Sequence, residues 1–137
     1  MRKEKIVVAV IPASTQGKAP YMKIIPNTLE AFQEEVGGYI EVVPLGIGAV
    51  MVVNEEGKIS GLEYNCDFFQ DEICGNIVVC GEEGEEFSDC PQLFLDILNI
   101  INVGWSFMKL KGIKFIEPYR SSAVTLALES MRNAEVL

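Results

Sequence analysis

The 137-residue chain contains no histidine. General acid–base catalysis draws on histidine most often, so the usual hydrolase triads are excluded, and proton transfer would fall to carboxylates, lysine, tyrosine or cysteine. Cations are nearly missing from the middle: residues 24–108 hold sixteen acids and a single base, Lys58. The ends are basic, with five bases against Glu4 over residues 1–23 and five against three acids over residues 109–137, leaving a net charge of −9. Proteins that track phosphates need clustered Lys and Arg to displace counterions, so no direct nucleic-acid binding is expected. Apolar runs long enough to span a bilayer, about 20 residues, are absent, and no membrane association is expected. The basic start is followed by an apolar run of only residues 6–11, which stops at Pro12 without a small-residue cleavage pattern. That is too short for an export signal, and a cytoplasmic location is expected. The four cysteines, Cys66, Cys74, Cys80 and Cys90, are separated by seven, five and nine residues, with no C-x-x-C pair. Structural zinc uses closely paired ligands, so no metal is expected, and without export the thiols should stay reduced and partly buried. Repeats and low-complexity segments are also missing.

What is present is apolar: 49% of the residues are hydrophobic. A chain of this size buries about two thirds of its unfolded surface in one core. Residues 6–11 read as a strand followed by a breaker-rich stretch to Pro20, and residues 21–25 as a second strand stopped by Pro26. Asn27 with Glu30 three residues later reads as a capping box opening a helix with Leu29, Phe32 and Val36 on its inner face, ended by Gly37-Gly38. Residues 39–45 and 49–53 predict a hairpin turning at Gly46-Ile47-Gly48. A turn at residues 54–57 leads to a short strand at 58–60. Residues 61–71 lack a clean period and read as a packed loop. Residues 73–80 return to strand, and 81–86 read as an acidic connector. A second helix begins near Ser88 or Asp89 with Pro91 in its first turn, shows Leu93, Phe94, Ile97, Leu98 and Ile101 on its face, and ends at residues 102–104. A strand at 113–116 and a last helix over 121–132 follow. This order predicts an α+β fold, a mainly antiparallel β-sheet of about five to seven strands with two to three helices packed against it.

Four blocks in order carry a likeness: Asn27-Thr28-Leu29-Glu30-Ala31-Phe32-Gln33; Val36-Gly37-Gly38-Tyr39-Ile40-Glu41-Val42-Val43-Pro44-Leu45; Val53-Asn54-Glu55-Glu56-Gly57-Lys58; and Gly75-Asn76-Ile77-Val78-Val79-Cys80-Gly81. Over roughly residues 5–100 the chain resembles the family catalogued as domain of unknown function 3846. The resemblance implies a small protein of bacteria, phages or conjugative elements with no established activity. Its pattern often carries Asn-Arg after the third turn; Asn65 matches, and Cys66 stands where the arginine would be. Residues 1–104 are accordingly expected to form the family-like α+β domain, and residues 105–137 a C-terminal strand–helix extension packed on the same core.

Three candidate sites follow. Cys90 lies near the start of the second helix, where the dipole favours a thiolate, but Asp89 and the nearby glutamates oppose one. Gly46-Ile47-Gly48 lacks the remaining glycine and the lysine of phosphate-binding loops and is explained by turning. Glu41 interrupts an apolar strand, and with Asn54 and Asn65 it could form a small polar ligand site. No catalytic residue and no cofactor are assigned, and the chain is not expected to be an enzyme. The leading expectation is a non-enzymatic interaction or binding module, from a phage or mobile element, with a protein partner. The acids Glu30, Glu34, Glu55, Glu56, Glu82, Glu83, Glu85 and Glu86 are expected to form one partner-binding face whose binding weakens with salt; scattering them would end that idea. The alternative is a small-ligand sensor or weak enzyme at Glu41, Asn54 and Asn65. A third reading is a structural oligomer such as a homodimer, anchored by exposed Trp105, Phe107 and Met108.

Overall fold

Residues 6–11, 49–53 and 77–80 are apolar at every position rather than every second one, the pattern of strands buried on both faces. The computed structural model describes residues 3–13, 18–112 and 116–134, without the side chains of Trp105, Met108, Lys109 and residues 116–120. Along the chain run β1 (Lys5–Ile11), β2 (Tyr21–Pro26), α1 (Leu29–Val36), β3 (Ile40–Gly46), β4 (Ala49–Asn54), β5 (Tyr64–Phe68), β6 (Asp71–Cys74), β7 (Ile77–Glu83), β8 (Glu86–Ser88), α2 (Gln92–Leu110) and α3 (Ile116–Ala134). The main sheet has the order β2-β1-β7-β4-β3 with β8 added to β7, and β5 and β6 form a separate hairpin. Every pairing is antiparallel. The fold is α+β.

The doubly apolar strands are the central ones. Ile6, Val8, Val10, Val50, Val52, Val78 and Cys80 point to one side, where Phe32 and Val36 of α1 cover them. Ala9, Ile11, Met51, Val53, Ile77 and Val79 point to the other. That side is filled by Phe94, Leu98 and Ile101 of α2, Val124, Leu128 and Met131 of α3, and Cys66, Phe68 and Ile73 of the β5–β6 hairpin. The sheet is thus a middle layer between two cores.

Local chemistry sets the boundaries, and several differ from the sequence expectation. The N-cap of α1 is Thr28, whose hydroxyl accepts from the Ala31 N–H at 3.2 Å. Asn27 is instead buried, and its side-chain amide donates to the carbonyls of Lys3 and Phe87, both at 3.1 Å. Gly37 ends the helix at φ 80°, the left-handed conformation that glycine accepts. Residues 58–60 form turns, not a strand: Ser60 N–H bonds to Glu56 O and Leu62 N–H to Gly57 O. The 61–71 segment is no loop, because it contains β5 and the start of β6. Its period is hidden by a register shift between Tyr64 and Cys66 that buries the adjacent residues Asn65 and Cys66. Residues 73–80 are split between β6 and β7, and the acidic 81–86 connector is the end of β7 and the start of β8.

The second helix does not end at residues 102–104. It runs through Gly104 to Leu110; an interior glycine costs only about 1 kcal/mol relative to alanine, which a 19-residue helix tolerates. The boundary expected at 104 therefore falls inside α2. Residues 113–115 of the expected last strand lie outside the described residues, and Ile116 begins α3. No helix among the described residues is long and apolar enough to cross a membrane.

Candidate functional site

β3 and β4 pair Glu41 with Val53 and Ile40 with Asn54, which brings Glu41 and Asn54 to one end of the sheet. They share a shallow groove of about 130 Å³ with Glu55, Lys58, Asp71 and Glu72. Small-molecule sites more often measure about 300–1,000 Å³. The polar atoms of Asn54 are already engaged: Nδ2 donates to Val36 O at 3.1 Å, and Oδ1 accepts from Glu56 N–H at 2.8 Å. Lys58 donates to Asp71 at 2.6 Å, and that hydrogen bond, with the attraction of the carboxylate, raises the Lys58 pKa above its ordinary value. Asn65 does not line this groove. It is fully buried, and its amide donates to the carbonyls of Ile11 and Gly75, each at 2.9 Å, tying the β5–β6 hairpin to β1. Of the three residues expected to meet, two do.

The eight acids expected on one face do not form one patch, and this corrects the sequence expectation. Ala49 pairs with Gly81, and Glu82 N–H bonds to Gly48 O at 2.9 Å. Glu82, Glu83, Glu85 and Glu86 therefore lie beside the β3–β4 turn. Glu55 and Glu56 follow the opposite end of β4, about 17 Å away at the usual strand rise. Glu30 and Glu34 sit on α1 over one face of the sheet. Strand direction separates what the sequence count had grouped. Among the described residues, no group of three or more Cys, Asp or Glu side chains could hold a metal ion.

All four cysteines are free. Burial pushes the Cys80 and Cys90 thiols each up to about 12 and raises Cys74 as well. Cys90 thus carries no activated thiolate, despite standing just before α2, because desolvation opposes charge there.

A larger concavity lies elsewhere among the described residues, between α2 and α3. It is a groove of about 480 Å³ with walls of Ile97, Ile100, Leu126 and Ser130 and a floor that includes Ala123 and Ala127. Ile100 is 71% and Leu126 69% exposed, so two branched aliphatic side chains of one groove are left largely uncovered. Further along α2, Phe107 is also exposed; the other two expected anchors, Trp105 and Met108, have side chains outside the described set. Sequence reasoning missed this groove because its sides come from two helices, each legible alone, whose side-by-side packing no local pattern reports. What the sequence does carry is a seven-residue spacing of Leu93, Ile100 and Phe107, which continues only if the helix passes through Gly104.

Comparisons with curated proteins and with solved structures returned no match. A family model matches residues 8–99, which covers the sheet, α1, the β5–β6 hairpin and the first part of α2 and leaves α3 outside. The chain belongs to the family described as domain of unknown function (DUF3846).

Proposed function

We propose that this protein is a non-enzymatic interaction module whose docking surface is the apolar groove between α2 and α3. The observation that carries this reading is that the largely exposed side chains Ile100 and Leu126 line one groove together with Ala123 and Ala127. Water against such a surface is released on binding, at roughly 25 cal/mol per Å² of apolar area covered. A helix seats well between two helices whose contact residues are small. Support for binding rather than catalysis comes from the polar candidates: the Asn54 and Asn65 amides are committed to backbone carbonyls, and burial disfavours the Cys80 and Cys90 thiolates.

The test is affinity capture from the source cells with the wild-type chain, Leu126→Glu, and the paired change Glu55→Gln with Glu56→Gln. Partners should be lost with Leu126→Glu and kept with the glutamine pair, and they should survive high salt. Capture that ignores Leu126→Glu and disappears with salt would sink this reading and favour the carboxylates instead.

A further inference from the structure

We propose that the occupant of the α2–α3 groove is a second copy of this chain, with the two α2 helices antiparallel across a twofold axis near residues 100–103. This rests on the reading of the groove as a docking surface and goes beyond it by naming the partner. The face carries both halves of a self-complementary contact. Leu93, Ile100 and Phe107 recur at seven-residue spacing on α2 and are 47%, 71% and 57% exposed, so they form a ridge along the helix. Beside that ridge lies the groove, floored by Ala123 and Ala127. A twofold operation places each ridge in the other copy's groove, the isologous arrangement of most homodimers, and makes a four-helix layer from two pairs.

The area fits such a dimer. Leu93, Ile100, Val103, Phe107, Leu110 and Leu126 together leave roughly 700 Å² uncovered per copy, close to the roughly 800 Å² per partner of a stable interface. The charges fit the antiparallel direction. Asp96 is the only acid on α2, in a chain of net charge −9, so this helix brings few like charges to a contact between two copies. Asp96 lies near its start, held to Gln92 at 2.9 Å, and Lys111 follows its end. Antiparallel pairing sets the lysine of one copy at the Gln92–Asp96 turn of the other and opposes the two helix dipoles. Parallel pairing would set like charges side by side.

Sedimentation equilibrium from about 1 to 100 µM, at 0.1 and 0.5 M salt, should give a mass of twice 15.1 kDa, unchanged or favoured at the higher salt. Ile100→Glu and Leu126→Glu should each weaken association at least tenfold while leaving the circular dichroism spectrum intact. In a Cys74→Ser background, Val103→Cys near the axis should oxidise to a covalent dimer, and Leu110→Cys should not, because antiparallel packing carries the two copies of residue 110 apart. A wild-type mass of 15.1 kDa at 100 µM, or equal cross-linking at the two positions, overturns the inference. If the glutamate variants fail to fold, the wild-type mass and the cross-linking pair decide it alone. A monomer whose partner capture is still lost with Leu126→Glu overturns the second copy and leaves the docking surface standing, with a foreign helix as its occupant.

Discussion

The backbone N–H of Phe69 donates to the carboxylate of Glu129 on α3 at 2.8 Å. Phe69 and Gln70, at φ 46° and 68°, form the tip of the β5–β6 hairpin in a conformation that side chains with a Cβ disfavour. Arg132, about one turn along the same helix, lies over the rings of Phe68 and Phe69 with centroid distances of 4.8 and 5.5 Å. Thr125 donates to Asp67 O at 2.5 Å. Three α3 side chains, at spacings of four and three residues, thus grip one strained turn. Glu129→Ala should lower stability by about 1–2 kcal/mol in urea unfolding, since it leaves the Phe69 amide without its acceptor. Adding Gln70→Gly should recover about 1 kcal/mol. A Glu129→Ala variant as stable as wild type would show that the contact does not hold the turn.

The β3–β4 tip carries similar strain and is held through its backbone, by the Glu82 N–H on Gly48 O. Ile47, at φ 52°, and Gly48, at φ 71°, are the central residues of the β3–β4 turn, and a β-branched side chain is the least suited to that region. Ile47→Asn should therefore stabilise the protein by about 1 kcal/mol, read as a higher urea midpoint with an unchanged slope. A lower midpoint would mean that the exposed Ile47 side chain has a packing role.

Asn65 is a structural residue by its contacts, and this can be separated from ligand binding. Asn65→Ala should cost about 2–3 kcal/mol, because two buried carbonyls lose their donor. Asn65→Asp should cost more near neutral pH, because a carboxylate only accepts and would face those same carbonyls. Equal stability of Asn65→Asp and wild type would contradict the placement.

Thiol labelling at pH 8 should distinguish the cysteines. Cys74 is half-buried and should react first; Cys66, Cys80 and Cys90 are buried and should react only on unfolding. With Cys80 and Cys90 pushed up to about 12, their thiolates are scarce in the folded protein at that pH. Rapid labelling of Cys90 in the folded chain would revive it as a nucleophile.

Asp89 joins the N-terminal segment to β1. Its carboxylate accepts from Lys3 Nζ at 2.5 Å and from Val7 N–H at 2.9 Å, and these hydrogen bonds, the Lys3 one foremost, hold its pKa below the ordinary value. A depressed folded-state pKa contributes stability that is present above the unfolded value, about 3.9, and is lost as pH falls through the folded one. Asp89→Asn should flatten the acid limb of the stability profile below about pH 4. An identical acid limb in wild type and variant would remove this role.

The central strands and α1 were legible because their cause is local: runs apolar at every position, a glycine pair after a helical face, and a turn between two β-rich segments. The β5–β6 hairpin was not, because a bulge places Asn65 and Cys66 side by side in the interior and destroys the alternation that would reveal a strand. The end of α2 was misread because Gly104 resembles a terminator, although a helix interior tolerates a single glycine at about 1 kcal/mol. Glu41 and Asn54 could be guessed as neighbours, since one hairpin joins them. The distance between the two acidic turns could not, because it depends on β4 and β7 being adjacent and antiparallel, a pairing between segments far apart in sequence. The α2–α3 groove was not legible either, because it depends on how two helices from separate segments pack side by side.

The position of α3 in the chain has a consequence for synthesis. Strands β1, β4 and β7 are complete long before Val124, Leu128 and Met131 are made, yet those residues cover one side of them. During translation the α1 side can close first, while the opposite side, lacking α3, stays only partly covered, a state prone to sticking to other nascent chains. Until α3 docks, the sheet is finished on one side only, and the arrival of Val124, Leu128 and Met131 is what ends that adhesive state.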